Sequence, residues 1–399
     1  MSFREDSIYV SALMMDMGTG SIMLGVTFFA SSLGASPLAI GLTASAYRLL
    51  YVIFCQVFGR LSDRVSRKRL TQIACLSFAI LQLFVPFSRR LYQLVVLFPL
   101  TGIVLAALWP AMEAWVAERK DGRTLVRRVS IFNLSWTGGL MMGYVGGGYI
   151  GYVGGVQARA LFYFASVAAL FATAIITAQP YFGNGNRKEE NRDPEAESCK
   201  QQPPEHQLAT RYLYLSWAAN CVTYLTLSII RYMLPKFIRQ QAGELGITLR
   251  MAPLRSGLMM LCQVAAQFVM FFILGRTEKW HYKLAPLLVF QVLASFGFLL
   301  IWRSNSPRFW IAGLIIIGTN VGMTYFSSIY YSLCGDIDLG GKSGWHESIL
   351  HSGTVIGPSI GGALASYAGL KSPYLFCAAA IIVGLPIQIF ILRKRSKDA

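Results

Sequence analysis

Apolar runs about twenty residues long recur from one end of the chain to the other, broken by short polar connections and a single long one. About 20 apolar residues, rising 1.5 Å each as a helix, cross roughly 30 Å of hydrocarbon. Twelve such runs are read, near residues 8–31, 38–58, 70–88, 92–116, 129–153, 158–181, 212–234, 252–274, 284–302, 309–333, 346–369 and 373–392. A segment in lipid must satisfy its own backbone hydrogen bonds, so these runs are predicted as helices. A β-barrel needs roughly ten-residue segments of alternating polarity, which continuous runs do not supply. The expected fold is an all-α polytopic membrane protein with twelve transmembrane helices.

The long polar stretch, Gly183 to Arg211, is rich in Glu, Asn, Gln and Pro and reads as a flexible linker. It divides the chain into a six-helix half at 1–182, a linker at 183–211 and a second six-helix half at 212–399. Glycine patterns suggest that the halves are repeats. Gly139, Gly143, Gly147 and Gly148 of span five recur as Gly353, Gly357, Gly361 and Gly362 of span eleven, with Pro358 beside them, at an offset of 357 − 143 = 214. Gly59-Arg60, ending span two, recurs as Gly275-Arg276, ending span eight, at 275 − 59 = 216. These glycines are expected to let helices pack closely, by small-residue logic.

Composition removes the main alternatives. Of 399 residues, 54% are hydrophobic and 14% charged, against roughly 25% charged in a soluble domain. The net charge of +17 could suggest nucleic acid, but the basic residues follow topology and no nucleic-acid partner is expected. With the N-terminus inside, the inner segments carry 24 of the 36 Lys and Arg, the outer connections nine, and Arg48, Arg231 and Arg255 fall within spans. The positive-inside rule then puts both termini in the cytoplasm of a cell (inner) membrane, with membrane lipids as neighbours. No cleavable signal peptide is expected. The seven cysteines show no CxxC or zinc-ligand spacing, so no metal and no cofactor is expected.

After span two the chain reads Gly59-Arg60-Leu61-Ser62-Asp63-Arg64-Val65-Ser66-Arg67-Lys68-Arg69. This resembles the signature loop of the major facilitator superfamily, with Ser66 where that family usually has glycine. The copy after span eight keeps Gly275 and Lys283, with Lys279 in place of the acid. Gly353-x3-Gly357-Pro358-x2-Gly361-Gly362 resembles the glycine-proline motif that proton-coupled exporters of the superfamily carry in span five. Span five of this chain has Tyr144 at the proline position, and Phe98 stands four residues before Gly102 where many exporters have arginine. The resemblance implies a permease of two pseudo-symmetric six-helix halves. It further implies that Asp63 meets the N-terminus of span eleven, where the helix dipole favours an anion. Gly59, Asp63, Arg64, Arg67, Lys68 and Glu118 would then belong to a cytoplasmic gate.

Ionisable groups at membrane depth point to function. Asp16 in span one and Arg48 in span two could form one buried pair, either a structural bridge or a site for a proton or an anionic solute. Glu113, His346 and Glu347 sit near the cytoplasmic ends of spans four and eleven and are assigned to the gate. His351, one turn deeper, reads as hydrogen-bonded filler. Asn133, Trp136, Asn220, Tyr224, Gln263, Gln267, Asn320 and Tyr325 are candidate cavity-lining groups, with interhelical hydrogen bonding the alternative for each.

These readings combine into a permease that acts as a monomer and moves a small-molecule solute by alternating access. Asp16 and Glu113 are the candidate proton sites. A non-transporting receptor, sensor or assembly partner is the alternative. No P-loop, HExxH or serine-nucleophile elbow is present, so neither ATP hydrolysis nor enzymatic chemistry is expected.

Overall fold

The computed structural model describes residues 7–118, 124–155, 158–179, 203–333 and 339–397, without the side chains of 203–209, 333, 339–342 and 391–397. Among these residues there is no strand. The helices are α1 (Ser7–Ser32), α2 (Pro37–Arg64), α3 (Arg67–Phe84), α4 (Leu91–Ala117, broken at Phe98-Pro99), α5 (Leu125–Gly154) and α6 (Ala160–Thr177). They continue as α7 (Pro203–Gln240), α8 (Ala252–Leu274), α9 (Leu284–Arg303), α10 (Pro307–Leu333), α11 (Leu339–Tyr367) and α12 (Ser372–Lys397). The expected linker lies largely outside the described residues, and α7 starts at Pro203, inside the stretch expected to be linker.

Local chemistry sets the ends. Ser36 accepts a hydrogen bond from the Ala39 amide and Pro37 opens the helix, a capped start for α2. Ser66, the residue that departs from the family loop, caps α3 by accepting from the Arg69 amide. The substitution thus supplies a cap where glycine would supply only conformational freedom.

Ten helices are long and apolar enough to cross a membrane among the described residues. The two that fall short are α5 and α11, which carry eight and seven glycines. Both are built to touch protein. Each glycine row has one face for its own half and one for the other. Within the first half, Gly139, Gly143 and Gly147 lie on Leu13, Met17 and Ser21 of α1. Within the second, Gly353, Gly357 and Gly361 lie on Cys221, Leu225 and Ile229 of α7, shifted by 214 on one helix (353 − 139) and 208 on the other (221 − 13).

The second face joins the halves. Gly148 of α5 lies on Pro253 and Leu254 of α8, and Gly362 of α11 lies on Pro37 and Leu38 of α2. A Cβ on Gly41 would fall 2.1 Å from the Pro358 carbonyl oxygen, and one on Gly257 2.2 Å from that of Tyr144. Backbone cannot retreat from such a clash as a flexible side chain can. The α2–α11 and α5–α8 seams are therefore symmetric, glycine-lined contacts between the halves.

The repeat diverges at its loops. After α2, Arg67 is held by two carboxylates, Asp63 at 2.8 Å and Glu118 at 2.9 Å. After α8, aromatic packing takes over: the Trp280 indole N–H donates to the Leu274 carbonyl at 3.1 Å, and His281 stacks on Tyr330 with ring centroids 4.5 Å apart. Burial holds the His281 imidazole below its usual pKa of 6.5, against a smaller opposing pull from Glu278.

Two outcomes follow. Gly41→Val and Gly257→Val should each cost about 1–3 kcal/mol of overpacking, read as a lower melting temperature of purified protein, while Gly138→Ala, whose Cβ would meet only Phe268 at 3.8 Å, should be near neutral. Because the folded state favours neutral His281, its contribution is fully present above the unfolded pKa of 6.5 and is lost as pH falls through the lower folded value. Melting temperature should therefore drop between neutral pH and pH 5, and His281→Gln should flatten that dependence.

Candidate functional site

The seams meet around a cavity of about 60 Å³, room for a few water molecules. Its wall comprises Asp16 and Thr19 of α1, Tyr47 and Arg48 of α2, Trp109 and Glu113 of α4, and Trp136 of α5. The second half contributes Tyr224 and Arg231 of α7, Tyr325 of α10, and Glu347 and His351 of α11. Both halves thus supply charge and aromatic surface to one shared space.

Arg48 and Arg231 are 5% and 7% exposed. Neither has a carboxylate within ion-pair distance among the described residues. The Asp16–Arg48 bridge expected from sequence does not form. Helix α2 instead lays the Arg48 guanidinium over its own Tyr47 ring at 4.5 Å, and Arg231 lies 5.9 Å from the Tyr224 ring. The Arg231 Nε has no hydrogen-bond acceptor. Desolvated guanidinium groups without a directly bonded carboxylate are costly, and an anion between them would offset that cost.

A ladder of rings crosses the cavity. Trp136 meets Tyr325 at 5.2 Å, Tyr325 stacks on Tyr224 at 6.0 Å, Tyr224 meets His351 at 5.6 Å, and His351 meets Tyr51 at 4.5 Å. His351, read from sequence as filler, also places Nε2 3.3 Å from Glu347.

Glu113 and Glu347 line this cavity, and both also tie the halves together. The Tyr51 hydroxyl donates to Glu347, Ser343 donates to Glu113, and the Tyr325 hydroxyl reaches Glu113 at 3.5 Å. Donor atoms of Glu113, His346 and Glu347 lie within 4.8 Å of one another. On the same side of the cavity, Gln56 donates to Ser348 at 3.1 Å and Ser130 to the Phe271 carbonyl at 3.3 Å. Gly59 lies buried against Gly344. Lys68 donates to the Gln179 carbonyl just beyond α6, and Arg64 is exposed. The contact expected between Asp63 and the start of α11 falls on side chains outside the described set.

On the opposite face the closure is cationic. Lys236 donates to the Ala35 carbonyl at 3.0 Å, Arg239 to that of Phe28 at 3.4 Å, and Arg250 to those of Tyr152 and Val153 at 2.9 and 3.1 Å. Basic side chains of the second half thus cap the carbonyl ends of α1 and α5, where the helix dipole favours positive charge. Contacts thus join the halves on both sides of the cavity.

The remaining polar candidates lie behind the wall. Asn133 accepts from the Trp136 indole at 3.0 Å, Gln263 and Gln267 pair at 3.3 Å, and Asn320 donates to Thr223 at 3.1 Å. Asn220 is buried but outside the cavity lining. Arg231, Thr19, Tyr47 and Trp109 were not singled out by sequence. Arg231 carried the same signal as Arg48, an ionisable group within a span.

Breaking the Arg67 triad should be measurable. Arg67→Gln leaves Asp63 and Glu118 facing each other without their shared cation, and the melting temperature should fall by a few degrees, on the order of 1 kcal/mol.

Comparison with known proteins agrees with the fold. A curated gallate transporter of Pseudomonas putida is 26% identical, with 94% of this chain and 83% of that protein aligned. Multidrug resistance protein 1 of Bacillus subtilis (strain 168) is 20% identical over 94% of this chain and 92% of its own length. The nucleoside transporter NupG superposes with a TM-score of 0.73 at 11% identity, over 98% of this chain and 99% of its own. The human organic anion transporter MFSD10 gives 0.67 at 15% identity, over 97% and 98%. A family model, Major Facilitator Superfamily, matches residues 8–338, and the chain, a membrane transporter by fold and relatives, belongs to that superfamily.

Proposed function

We propose that the chain is a secondary-active transporter that moves a small organic anion, with a proton, by alternating access. The observation carrying this reading is the pair of buried guanidinium groups, Arg48 and Arg231, facing one cavity with no carboxylate at ion-pair distance among the described residues. Arginine presents a planar fork of donors that matches a carboxylate. The rings of Tyr47, Trp109, Trp136, Tyr224 and Tyr325 around it favour an aromatic acid. Similarity to a gallate transporter supports the same class. The basic face, carrying Asp63, Arg64, Arg67, Lys68 and Glu118, is cytoplasmic in this reading, and residues 183–211 link two moving halves.

Asp16 supplies the coupling. It shares the cavity wall with Arg231 of α7, Arg48 of α2 and Glu347 of α11. Ionised Asp16 competes with a substrate carboxylate for the arginines, and protonated Asp16 leaves their charge to the substrate. Proton and anion therefore bind together. The symmetric seams supply the motion, since either end can open by parting α2 from α11 and α5 from α8 while α1–α5 and α7–α11 contacts stay intact.

Purified protein in liposomes should exchange labelled 4-hydroxybenzoate in counterflow. Arg48→Gln and Arg231→Gln should each weaken its apparent affinity at least tenfold, as expected for losing about 1.5–3 kcal/mol of charge-assisted hydrogen bonding. Asp16→Asn should keep counterflow but lose acceleration by an inward proton gradient. Exchange confined to neutral or cationic solutes, or an unchanged affinity in both arginine variants, would refute the reading.

A further inference from the structure

We propose that Glu113, His346 and Glu347 form a binding site for a first-row divalent transition-metal cation, one that bridges the two halves at the basic-face end of the cavity. Three side chains offer one carboxylate oxygen, one ring nitrogen and another carboxylate oxygen within 4.8 Å of one another, all buried. This donor set suits Zn²⁺, Co²⁺ or Mn²⁺.

The second observation is the orientation of His346. Its Nδ1 lies 3.0 Å from the Ser328 hydroxyl, while Nε2 has no hydrogen-bond partner, although the residue is fully buried. That free nitrogen points at Glu347 Oε1, 3.7 Å away. The spacing is too long for a hydrogen bond and leaves room for an ion. In a tetrahedral site with bonds of about 2.1 Å, donors stand about 3.4 Å apart, so closing the cluster needs an inward shift of about an ångström.

The outer partners of a metal site are also present. Metal-bound histidine usually anchors its second nitrogen, and bound carboxylates are themselves hydrogen-bonded. Ser328 anchors His346, Ser343 and Tyr325 hold Glu113, and Tyr51 and His351 hold Glu347. Glu113 and Glu347 also line the cavity, which leaves a coordination position for water or solute. Because Glu113 belongs to α4 and the other two ligands to α11, the complete site exists only while this end is closed. A cation that binds one state better shifts the population toward it, so occupancy should hold this end shut. None of Asp16, Arg48 and Arg231 is a ligand, so metal binding and anion exchange can fail separately.

The test is binding of Co²⁺ alone to chelator-treated protein in lipid nanodiscs, with no transported solute. One Co²⁺ per chain should bind and give visible d–d absorption, and Zn²⁺ should displace it and raise the melting temperature. Glu113→Gln and His346→Gln should each weaken binding more than tenfold, while His281→Gln should not change it. His346→Cys, which keeps a ligand, should add a thiolate-to-cobalt charge-transfer band. Absence of d–d absorption in the wild-type protein, undiminished binding in Glu113→Gln, or a His346→Cys spectrum without the new band would each overturn the assignment.

Discussion

The structure depends on how ionised side chains can be kept away from water between two packed halves. Charges separated from solvent interact far more strongly than charges at a surface, and they are tolerated only with partners. Here the desolvation is produced by backbone contact. Glycine at positions 41, 148, 257 and 362 lets α2 press on α11 and α5 on α8 closely enough to close off the central space. The same contacts that shape the bundle thus set the electrostatic strength of Arg48, Arg231 and Asp16. In the proposed cycle, parting a seam would admit water and weaken those interactions together, which would link gating and binding through one physical variable.

Much of the architecture was legible because membrane depth imposes its own period. Twelve runs became twelve helices, and the glycine offsets of 214 and 216 reappear as contacts between the same pairs of elements. Ends were less legible: α7 begins at Pro203 and α11 at Leu339, well before their apolar runs. Simple hydropathy undervalues α5 and α11 because their residues are chosen for protein contact. Within the site, Asp16, Arg48, Trp136, Tyr224 and Tyr325 reached the cavity, whereas Gln263, Gln267 and Asn320 went to hydrogen bonds behind it. Helical facing cannot be read without knowing which neighbour a face meets. His351 is a different case: it sits four residues after Glu347, hence on the same helix face, and that spacing could have shown it. The Glu113–His346 approach, across 233 positions (346 − 113), could not be read from any local pattern.

Applying the contact offsets to the cavity shows how function departs from symmetry. An offset of 208, taken from Met17 and Leu225, relates Asp16 to Tyr224 and Met23 to Arg231, and all four line the cavity. An offset of 214 relates Trp136 to Leu350, which also face it together, and relates Asn133 to Glu347. The offset of 216 relates Arg48 to Val264. At every charged position tested this way, the equivalent residue is uncharged.

This pattern separates two demands on one scaffold. In the proposed cycle, moving between openings requires both seams to seat equally well, and the packing glycines are matched between halves. Holding an asymmetric solute requires the opposite, because a two-fold array of charges would present two equivalent poses to a molecule with one carboxylate. With one arginine on α2 and another on α7, and the carboxylates Glu113 and Glu347 towards the basic face, the cavity has a polarity of its own. The proposed aromatic anion would settle with its charge at the guanidinium groups and its ring among Trp136, Tyr224 and Tyr325. In the proposed mechanism symmetry serves the motion, and its selective breaking at a few buried positions would give the bound molecule a single orientation.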